Sequence, residues 1–199
     1  MKNQSNNQYI CRLLLLTGLL ACGYAFGADD AKGKPTYQRS EAPYQVPEVM
    51  LVRQDGKKVS FKEELDDGRP VIMNFIYSSC TTICPVLSHV FSKAQAKLGK
   101  ERDQVHMVSI SLDPEHDTPA KLIEYSKKFK AGPQWQHYTG TKEDSITVQK
   151  AFDAYRGDKM NHTPTTFLRA SPGKTWVRID GFPSPDDLIR EYHNLIKPE

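Results

Sequence analysis

The stretch 71–77 constrains the fold more than any other part of the chain. It is an almost unbroken apolar run, and two cysteines follow it closely. A run of this length is typical of a central strand that is buried on both faces of a sheet. Cys80 and Cys84 follow it, and from Pro85 the apolar residues recur at helical spacing until Gly99. The sequence therefore predicts a buried strand, a dithiol loop and an amphipathic helix, in that order.

The elements around this unit follow the order of an α/β domain. Strand patterns alternate with helical ones, and turn residues separate them. The predicted elements are a hairpin (49–52 and 57–60), a strand (105–112), a helix from Thr118, a third helix (about 145–155), an antiparallel pair (165–169 and 176–180) and a last helix from Ser184. This order predicts an α/β, thioredoxin-like fold with an N-terminal hairpin and a helical insertion.

The first 27 residues have the features of an export leader. Lys2 and Arg12 are its only charges, and the apolar run 13–21 is shorter than the roughly 20 residues that span a membrane. Cleavage after 25–27 gives a free start, cleavage before Cys22 gives a lipidated one, and an uncleaved anchor is the third alternative. All three place the domain outside the cytoplasm, in a bacterial periplasm or at the outer face of the cytoplasmic membrane.

Domain boundaries follow from this leader. Residues 28–47 contain Pro, Lys and Gln without periodicity, so we expect a linker there. Residues 48–199 are expected to form the thioredoxin-like domain. Apolar content of 38% suits a soluble core. The net charge of +3 is scattered along the chain rather than concentrated, which excludes the basic face of a nucleic-acid-binding protein.

Two of the four cysteines, Cys11 and Cys22, lie in the leader, so Cys80 and Cys84 are the only ones in the predicted domain. Such a pair can be a structural disulfide, a redox pair or a metal clamp. A disulfide that closes so short a loop removes little entropy from the unfolded chain and therefore stabilises the fold little. A purely structural disulfide is thus the weakest of the three explanations. The predicted helix N-terminus favours a thiolate. If the loop takes a helical turn, the i, i+4 spacing also lets both sulfurs grip a soft ion such as Cu(I).

Two cysteines leave Cu(I) or Cu(II) short of ligands, and His162 is the best candidate for the next one. It lies just before the strand that neighbours the cysteine loop in a thioredoxin core, and the Thr-Pro-Thr around Pro164 is similar to the cis-proline element of thioredoxins. Met107 and Met160 offer thioethers, but isolated methionines usually serve packing. The other histidines are weaker candidates. His89 is five residues beyond Cys84, His106 falls in a strand, and His116, His137 and His193 are predicted at the surface or at its boundary.

These motifs resemble the SCO/SenC family, the copper chaperones of thioredoxin fold that help to build the CuA centre of cytochrome c oxidase. The resemblance covers about 44–197 and rests on 74–77 with both cysteines, on the Ser-Ile-Ser-Leu-Asp-Pro-Glu-His-Asp-Thr-Pro motif at 109–119, and on His162. It implies that Cys80, Cys84 and His162 bind copper. It also implies cytochrome c oxidase subunit II or a similar copper acceptor as partner, with other periplasmic copper chaperones as further partners.

Two positions depart from the family pattern. Asn161 stands where an acidic residue usually precedes the histidine, and Pro164 stands where an aliphatic residue is usual. Pro164 brings the site closer to a thioredoxin, so an extracytoplasmic thiol–disulfide oxidoreductase with Cys80 and Cys84 as its redox pair is the second hypothesis. A peroxidase fits less well, because Tyr77 stands where a peroxiredoxin has proline. A closed zinc site needs four ligands, where the sequence offers three.

Overall fold

Strand β4 (Val71–Ile76) is the centre of the fold, and each of its six residues is buried. It belongs to a mixed eight-stranded sheet in the computed structural model, which describes residues 36–197. The leader and the first part of the expected linker lie outside the described residues. The strands run in the order β1-β8-β7-β4-β5-β6-β2-β3 across the sheet. Their bounds are β1 Tyr37–Ala42, β2 Met50–Arg53, β3 Lys58–Ser60, β5 His106–Ser111, β6 Trp135–Thr139, β7 Thr165–Arg169 and β8 Trp176–Gly181.

Five α-helices cover the two faces of this sheet. They are α1 (Phe61–Leu65), α2 (Ile83–Leu98), α3 (Pro119–Lys128), α4 (Lys142–Ala151) and α5 (Pro185–Ile196). Helices α2, α3 and α5 pack on one face, where their apolar residues join those of β4 through Ile72 and Ile76. Helices α1 and α4 pack on the other face, which β4 supplies with Val71, Met73 and Phe75. This alternation follows from the two-residue period of a strand, so both faces of β4 are core.

The register of the sheet places the dithiol loop at one end. Strand β4 is parallel to β5 and antiparallel to β7, with Asn74 opposite Ser109 on one side and Thr166 on the other. The chain leaves β4 at Ile76 and enters α2 at Ile83. The loop that joins them lies beside the segment that leads into β7. A thioredoxin-like α/β fold is therefore confirmed, as is the strand–dithiol–helix order.

Several predicted helix ends are also confirmed. Helix α2 ends at Gly99, whose positive φ of 54° is a conformation that glycine adopts without strain. Thr118 caps α3 by accepting the backbone N–H of Lys121. Ser184 and Asp187 form a complete capping box at the start of α5. None of the helices between residues 36 and 197 is long and apolar enough to cross a membrane.

The described part of 28–47 is not a linker throughout, because Tyr37–Ala42 forms the edge strand β1. It pairs antiparallel with β8, from Tyr37 opposite Gly181 to Ala42 opposite Trp176. Tyr37 is buried, whereas the four residues after it are exposed, so the strand has almost no apolar pattern. Its backbone hydrogen bonds to a neighbouring strand hold it in place. An edge strand of this kind leaves little trace in hydrophobic periodicity.

The segment between α3 and the third predicted helix contains the unforeseen strand β6, which pairs parallel with β5. The helix itself begins earlier than expected, at Lys142, because Thr141 caps it by accepting the backbone N–H of Asp144. Its first turn is charged and carries no apolar period. The helix ends at Ala151, before Asp153 with a positive φ of 48°.

Candidate metal and thiol site

The cysteine loop begins with a tight turn that is tied to a buried carboxylate. The backbone N–H of Cys80 donates to the Tyr77 carbonyl at 3.1 Å. The backbone N–H of Ser78 donates to both carboxylate oxygens of Asp117 at 3.1 Å, and the Ser78 hydroxyl donates to the same carboxylate. Ser111, at the end of β5, adds a third donor at 2.6 Å. Asp117 therefore holds the start of the loop against the neighbouring strand.

Cys80 lies ahead of α2 and acts as its cap. Thr82, at the N-cap position, makes no side-chain bond to the helix, and the Cys84 backbone N–H donates instead to the Cys80 sulfur at 3.4 Å. Burial alone would raise the pKa of the Cys80 thiol. The N–H groups of Cys84 and Thr82, with the Cys84 thiol and the Tyr77 hydroxyl, together lower this pKa to about 7. A helix N-terminus stabilises the thiolate in this way.

Cys84 is in the first turn of α2 and has no exposed surface. Burial raises the pKa of its thiol well above the ordinary value, and the neighbouring Cys80 and Asp117 add to the shift. The expectation that the helix N-terminus lowers the pKa thus holds for Cys80 and is wrong for Cys84. The reason is position, since Cys84 turns inward from the helix end whereas Cys80 faces it. At neutral pH Cys80 is therefore partly ionised to the thiolate, whereas Cys84 stays protonated.

His162 comes to the cysteines from the segment before β7. Its Nε2 atom lies 3.4 Å from the Cys84 sulfur, and its Nδ1 atom lies 2.7 Å from the Lys159 carbonyl. Because a carbonyl only accepts, Nδ1 carries the proton and Nε2 presents its lone pair to the sulfur. Burial lowers the pKa of the imidazole, which keeps it neutral. The Tyr77 ring packs edge-on against it with centroids 5.2 Å apart.

The three side chains that the sequence singled out are brought together. One ligand atom from each of Cys80, Cys84 and His162 lies within 4.8 Å of the other two, and all three residues are buried. Within residues 36–197, no other trio of His, Cys, Asp or Glu converges in this way. Two sulfurs and a neutral imidazole nitrogen form a soft donor set that suits copper better than calcium or magnesium. The carbonyl behind Nδ1 is the supporting contact that metal-ligating histidines usually have.

The remaining histidines do not approach this site. His137, predicted near the surface, is wholly buried on β6, and burial lowers its pKa to about 3. It stacks on Trp135 at 5.2 Å, and neither ring nitrogen has a hydrogen-bond partner within the described residues. The prediction failed because β6 was not foreseen. His106 bonds to the Glu64 carbonyl, and His116 bonds to Asp113.

Asp117 is the site residue that sequence reasoning assigned no role. It lies in the 109–119 motif, which carried the resemblance without any assignment to its members. An acidic residue that follows the end of a central strand was the available signal, because such residues meet the neighbouring loop at the same edge of a sheet. Its buried carboxylate, which accepts hydrogen bonds from three donor groups, is a structural part of the cysteine loop.

Comparison with known proteins finds relatives over almost the whole described domain. The SCO1/SenC family model matches residues 38–197, almost the whole described domain. The SCO1 protein homolog of Bacillus subtilis (strain 168) is 29% identical over 158 residues, which is 74% of this chain and 81% of that protein.

Two solved structures are similar in both sequence and fold. Arabidopsis thaliana ScoI with copper bound is 27% identical with a TM-score of 0.62, and the match covers 74% of this chain and 94% of that one. BsSco, described with a disulfide switch as a member of the Sco family of cytochrome c oxidase assembly proteins, is 26% identical with a TM-score of 0.66. That match covers 80% of this chain and 98% of BsSco.

Proposed function

Since this chain belongs to the SCO1/SenC family, we propose that it is a copper-binding assembly protein that carries copper as cargo on Cys80, Cys84 and His162. The observation that carries the proposal is the convergence of two thiols and the unprotonated Nε2 of a neutral imidazole within 4.8 Å. The sulfurs supply soft ligands for Cu(I), and the imidazole adds the nitrogen that Cu(II) favours. The copper-bound Arabidopsis relative supports this choice of metal.

We further propose that the acceptor is the CuA centre of cytochrome c oxidase, on subunit II or on a similar copper-binding protein. The description of BsSco as a cytochrome c oxidase assembly protein supports this acceptor. Delivery to such a centre requires the domain outside the cytoplasm. Export through the leader 1–27, with lipidation of Cys22 as one form of anchoring, is therefore part of the proposal. Mass spectrometry of the native N-terminus tests it, and an intact Met1 would contradict removal of the leader.

Copper titration of the reduced full chain tests the ligand set. Cu(II) on two thiolates and an imidazole should give an intense thiolate-to-copper absorption band in the visible range. His162→Ala should weaken Cu(II) binding at least about tenfold, since loss of even a supporting contact around a metal ligand costs about 10–100-fold. Cu(I) should still be held by the two sulfurs.

His89→Ala is the matched control, because His89 is an exposed histidine on the same helix as Cys84. It should leave both the band and the Cu(II) affinity unchanged. An unchanged band and affinity in His162→Ala would exclude His162 as a ligand.

A second function, thiol–disulfide exchange with a partner protein, is favoured by the contrast between the two thiols. Cys80, with its pKa lowered to about 7, is suited to attack an outside disulfide, and Cys84 can resolve the mixed disulfide once its thiol has lost its proton. Exchange needs the two cysteines, whereas Cu(II) binding also needs the imidazole. His162→Ala that loses Cu(II) yet reduces a model disulfide at the wild-type rate would establish exchange as an independent activity.

A further inference from the structure

Met160 is exposed in a way that packing does not explain. Its side chain is 69% exposed, the highest value among the large apolar side chains of residues 36–197 that reach the surface. Methionine normally fills gaps in a core, where its flexible thioether is shielded from water. Met160 instead lies on a 3₁₀ turn, Lys159–Asn161, that immediately precedes His162. Packing therefore does not account for a methionine at this position beside the candidate metal site.

The turn that carries Met160 is held from three sides. The Asp158 carboxylate accepts the Met160 backbone N–H at 2.8 Å. The Lys159 ammonium pairs with the buried carboxylate of Asp113. The Lys159 carbonyl bonds Nδ1 of His162 at 2.7 Å, as described above. The backbone under the thioether is thereby coupled to the same contacts that orient the imidazole.

Tyr77 connects the thioether with the cysteines. The sulfur of Met160 lies 3.4 Å from the Tyr77 hydroxyl oxygen. The Tyr77 carbonyl accepts the backbone N–H of Cys80 at 3.1 Å, and the Tyr77 ring packs against His162. Tyr77 therefore contacts the thioether of Met160 and two residues of the proposed copper site. Because the Met160 side chain is exposed, it can rotate so that its sulfur leaves the Tyr77 hydroxyl and binds another group.

From this arrangement we infer that Met160 is a docking ligand for Cu(I). Together with Cys80 it binds an incoming ion before the ion reaches the resting site, which is formed by Cys80, Cys84 and His162. It binds an outgoing ion in the same way after Cys84 has released it. The inference rests on the proposed copper-binding function and adds a fourth residue to it. A thioether is a neutral, soft ligand that suits Cu(I). In the exchange the copper remains Cu(I), its bond to the Met160 sulfur breaks, a bond to the Cys84 sulfur forms, and the Cys84 proton passes to solvent.

Transfer kinetics test this role. The reduced full chain is mixed with Cu(I) held by a coloured chelator, and stopped-flow absorption follows both loading and, with chelator in excess, release. Met160→Leu, which keeps the size and removes the sulfur, should slow both directions by about tenfold, equivalent to about 1.4 kcal/mol in the barrier. Met50→Leu is the matched control, because Met50 is 42% exposed on β2, away from the cysteine loop. It should transfer copper at the wild-type rate.

The outcomes separate the two proposals. A wild-type chain that takes up no Cu(I) would overturn the copper function and this inference together. A wild-type chain that loads normally, with Met160→Leu loading and releasing at the same rates, would overturn only the docking role. Faster release with unchanged loading would also overturn it, because that result is expected of a permanent ligand in the resting site.

A trapped intermediate provides the second measurement. Cys84→Ser removes the ligand that displaces the thioether, so Cu(I) should remain bound between Cys80 and Met160. Methyl NMR of methionine labelled with ¹³C at the methyl group should then show a shift of the Met160 signal on addition of Cu(I) and none of the Met50 signal. The double variant Cys84→Ser/Met160→Leu should hold Cu(I) more weakly than Cys84→Ser alone. Equal affinities and an unmoved Met160 methyl signal would overturn the docking role.

Discussion

The two faces of the central sheet differ in what they contribute to the cysteine loop. The face under α1 and α4, which we call the aromatic face, contains a cluster of rings in which Phe167 contacts Tyr44, Phe75 and Phe152 at centroid distances of 5.2–6.0 Å. The face under α2, α3 and α5 carries buried polar side chains among its apolar ones. Those on the strands include Asn74, Ser109, Ser111, His137 and Thr166, and we call this side the polar face.

The aromatic face mainly stabilises the fold, whereas the polar face also holds the cysteine loop. Aromatic packing stabilises the fold without constraining any titratable group of the cysteine loop. The polar face supplies the hydrogen bonds that hold that loop, through Ser111 and Asp117. A change on the aromatic face is therefore expected to alter the free energy of unfolding, whereas a change on the polar face should alter the thiols.

Phe167→Ala should lower the free energy of unfolding by about 3–5 kcal/mol, because it leaves a cavity where four aromatic rings meet. Urea unfolding followed by far-UV circular dichroism measures the loss. In the folded protein the rate of Cys80 alkylation should stay at its wild-type value. A changed alkylation rate without unfolding would show that the two faces are coupled, and the comparison would fail.

The two thiols should alkylate at very different rates at neutral pH. The rate for Cys80 should rise with a midpoint near pH 7, because its pKa is lowered to about 7. Cys84 should react at least about a hundredfold more slowly at pH 7, since its pKa is raised by burial and each pKa unit changes the thiolate fraction tenfold. Peptide mass spectrometry after timed iodoacetamide treatment measures both rates. Equal rates would remove the assignment of distinct roles to the two cysteines.

Asp117→Asn should loosen the cysteine loop. The amide keeps one acceptor oxygen but turns an NH₂ group toward the hydroxyl and amide donors of Ser78 and Ser111, which costs about 1–3 kcal/mol in the free energy of unfolding. The midpoint of Cys80 alkylation should shift as well. Asp55→Asn, a change at the exposed hairpin turn, is the control. A stability loss with an unmoved midpoint would mean that Asp117 acts only on the fold.

His137→Leu should change the free energy of unfolding at pH 7 by less than about 1 kcal/mol, because neither ring nitrogen makes a hydrogen bond that would be lost. At lower pH, His137 should destabilise the wild type. The folded pKa is about 3, below the unfolded value of about 6.5, so the wild type loses stability as the pH falls from 6.5 toward 3.

The leucine variant should lose less stability over that pH range. Urea titrations at pH 7 and pH 4.5 measure the difference between the two proteins. Parallel losses in wild type and variant would show that His137 is not the group that titrates.

The sequence predicted the parts of the molecule in which local pattern and tertiary role coincide. Buried β4, the caps of α3 and α5 and the end of α2 each leave a local signature that the fold retains. Strand β1 leaves none, because a polar edge strand depends on a distant partner for its hydrogen bonds. Strand β6 was missed for another reason, because polar Gln136 and His137 interrupt its apolar residues although the strand is mostly buried between β5 and β2. The error in placing His137 followed from it.

The candidate site shows the same limit at the level of single residues. Residue type and spacing were sufficient to select Cys80, Cys84 and His162. The opposite pKa shifts of the two thiols, however, depend on which one faces the helix end. Met160 was assigned to packing, because exposure is a property of the folded chain. Asp117 acts through hydrogen bonds from Ser78 and Ser111, which only the folded chain brings to its carboxylate.

Cys80 has one more consequence as the cap of α2. When its lone pairs are shared with a copper ion or a second sulfur, the Cys80 sulfur becomes a poorer acceptor for the Cys84 N–H, and the first turn of the helix is less firmly anchored. That turn presents Val86 at the surface, and Thr81 and Thr82 precede it there. The stability of this exposed turn should therefore depend on the state of the two buried sulfurs.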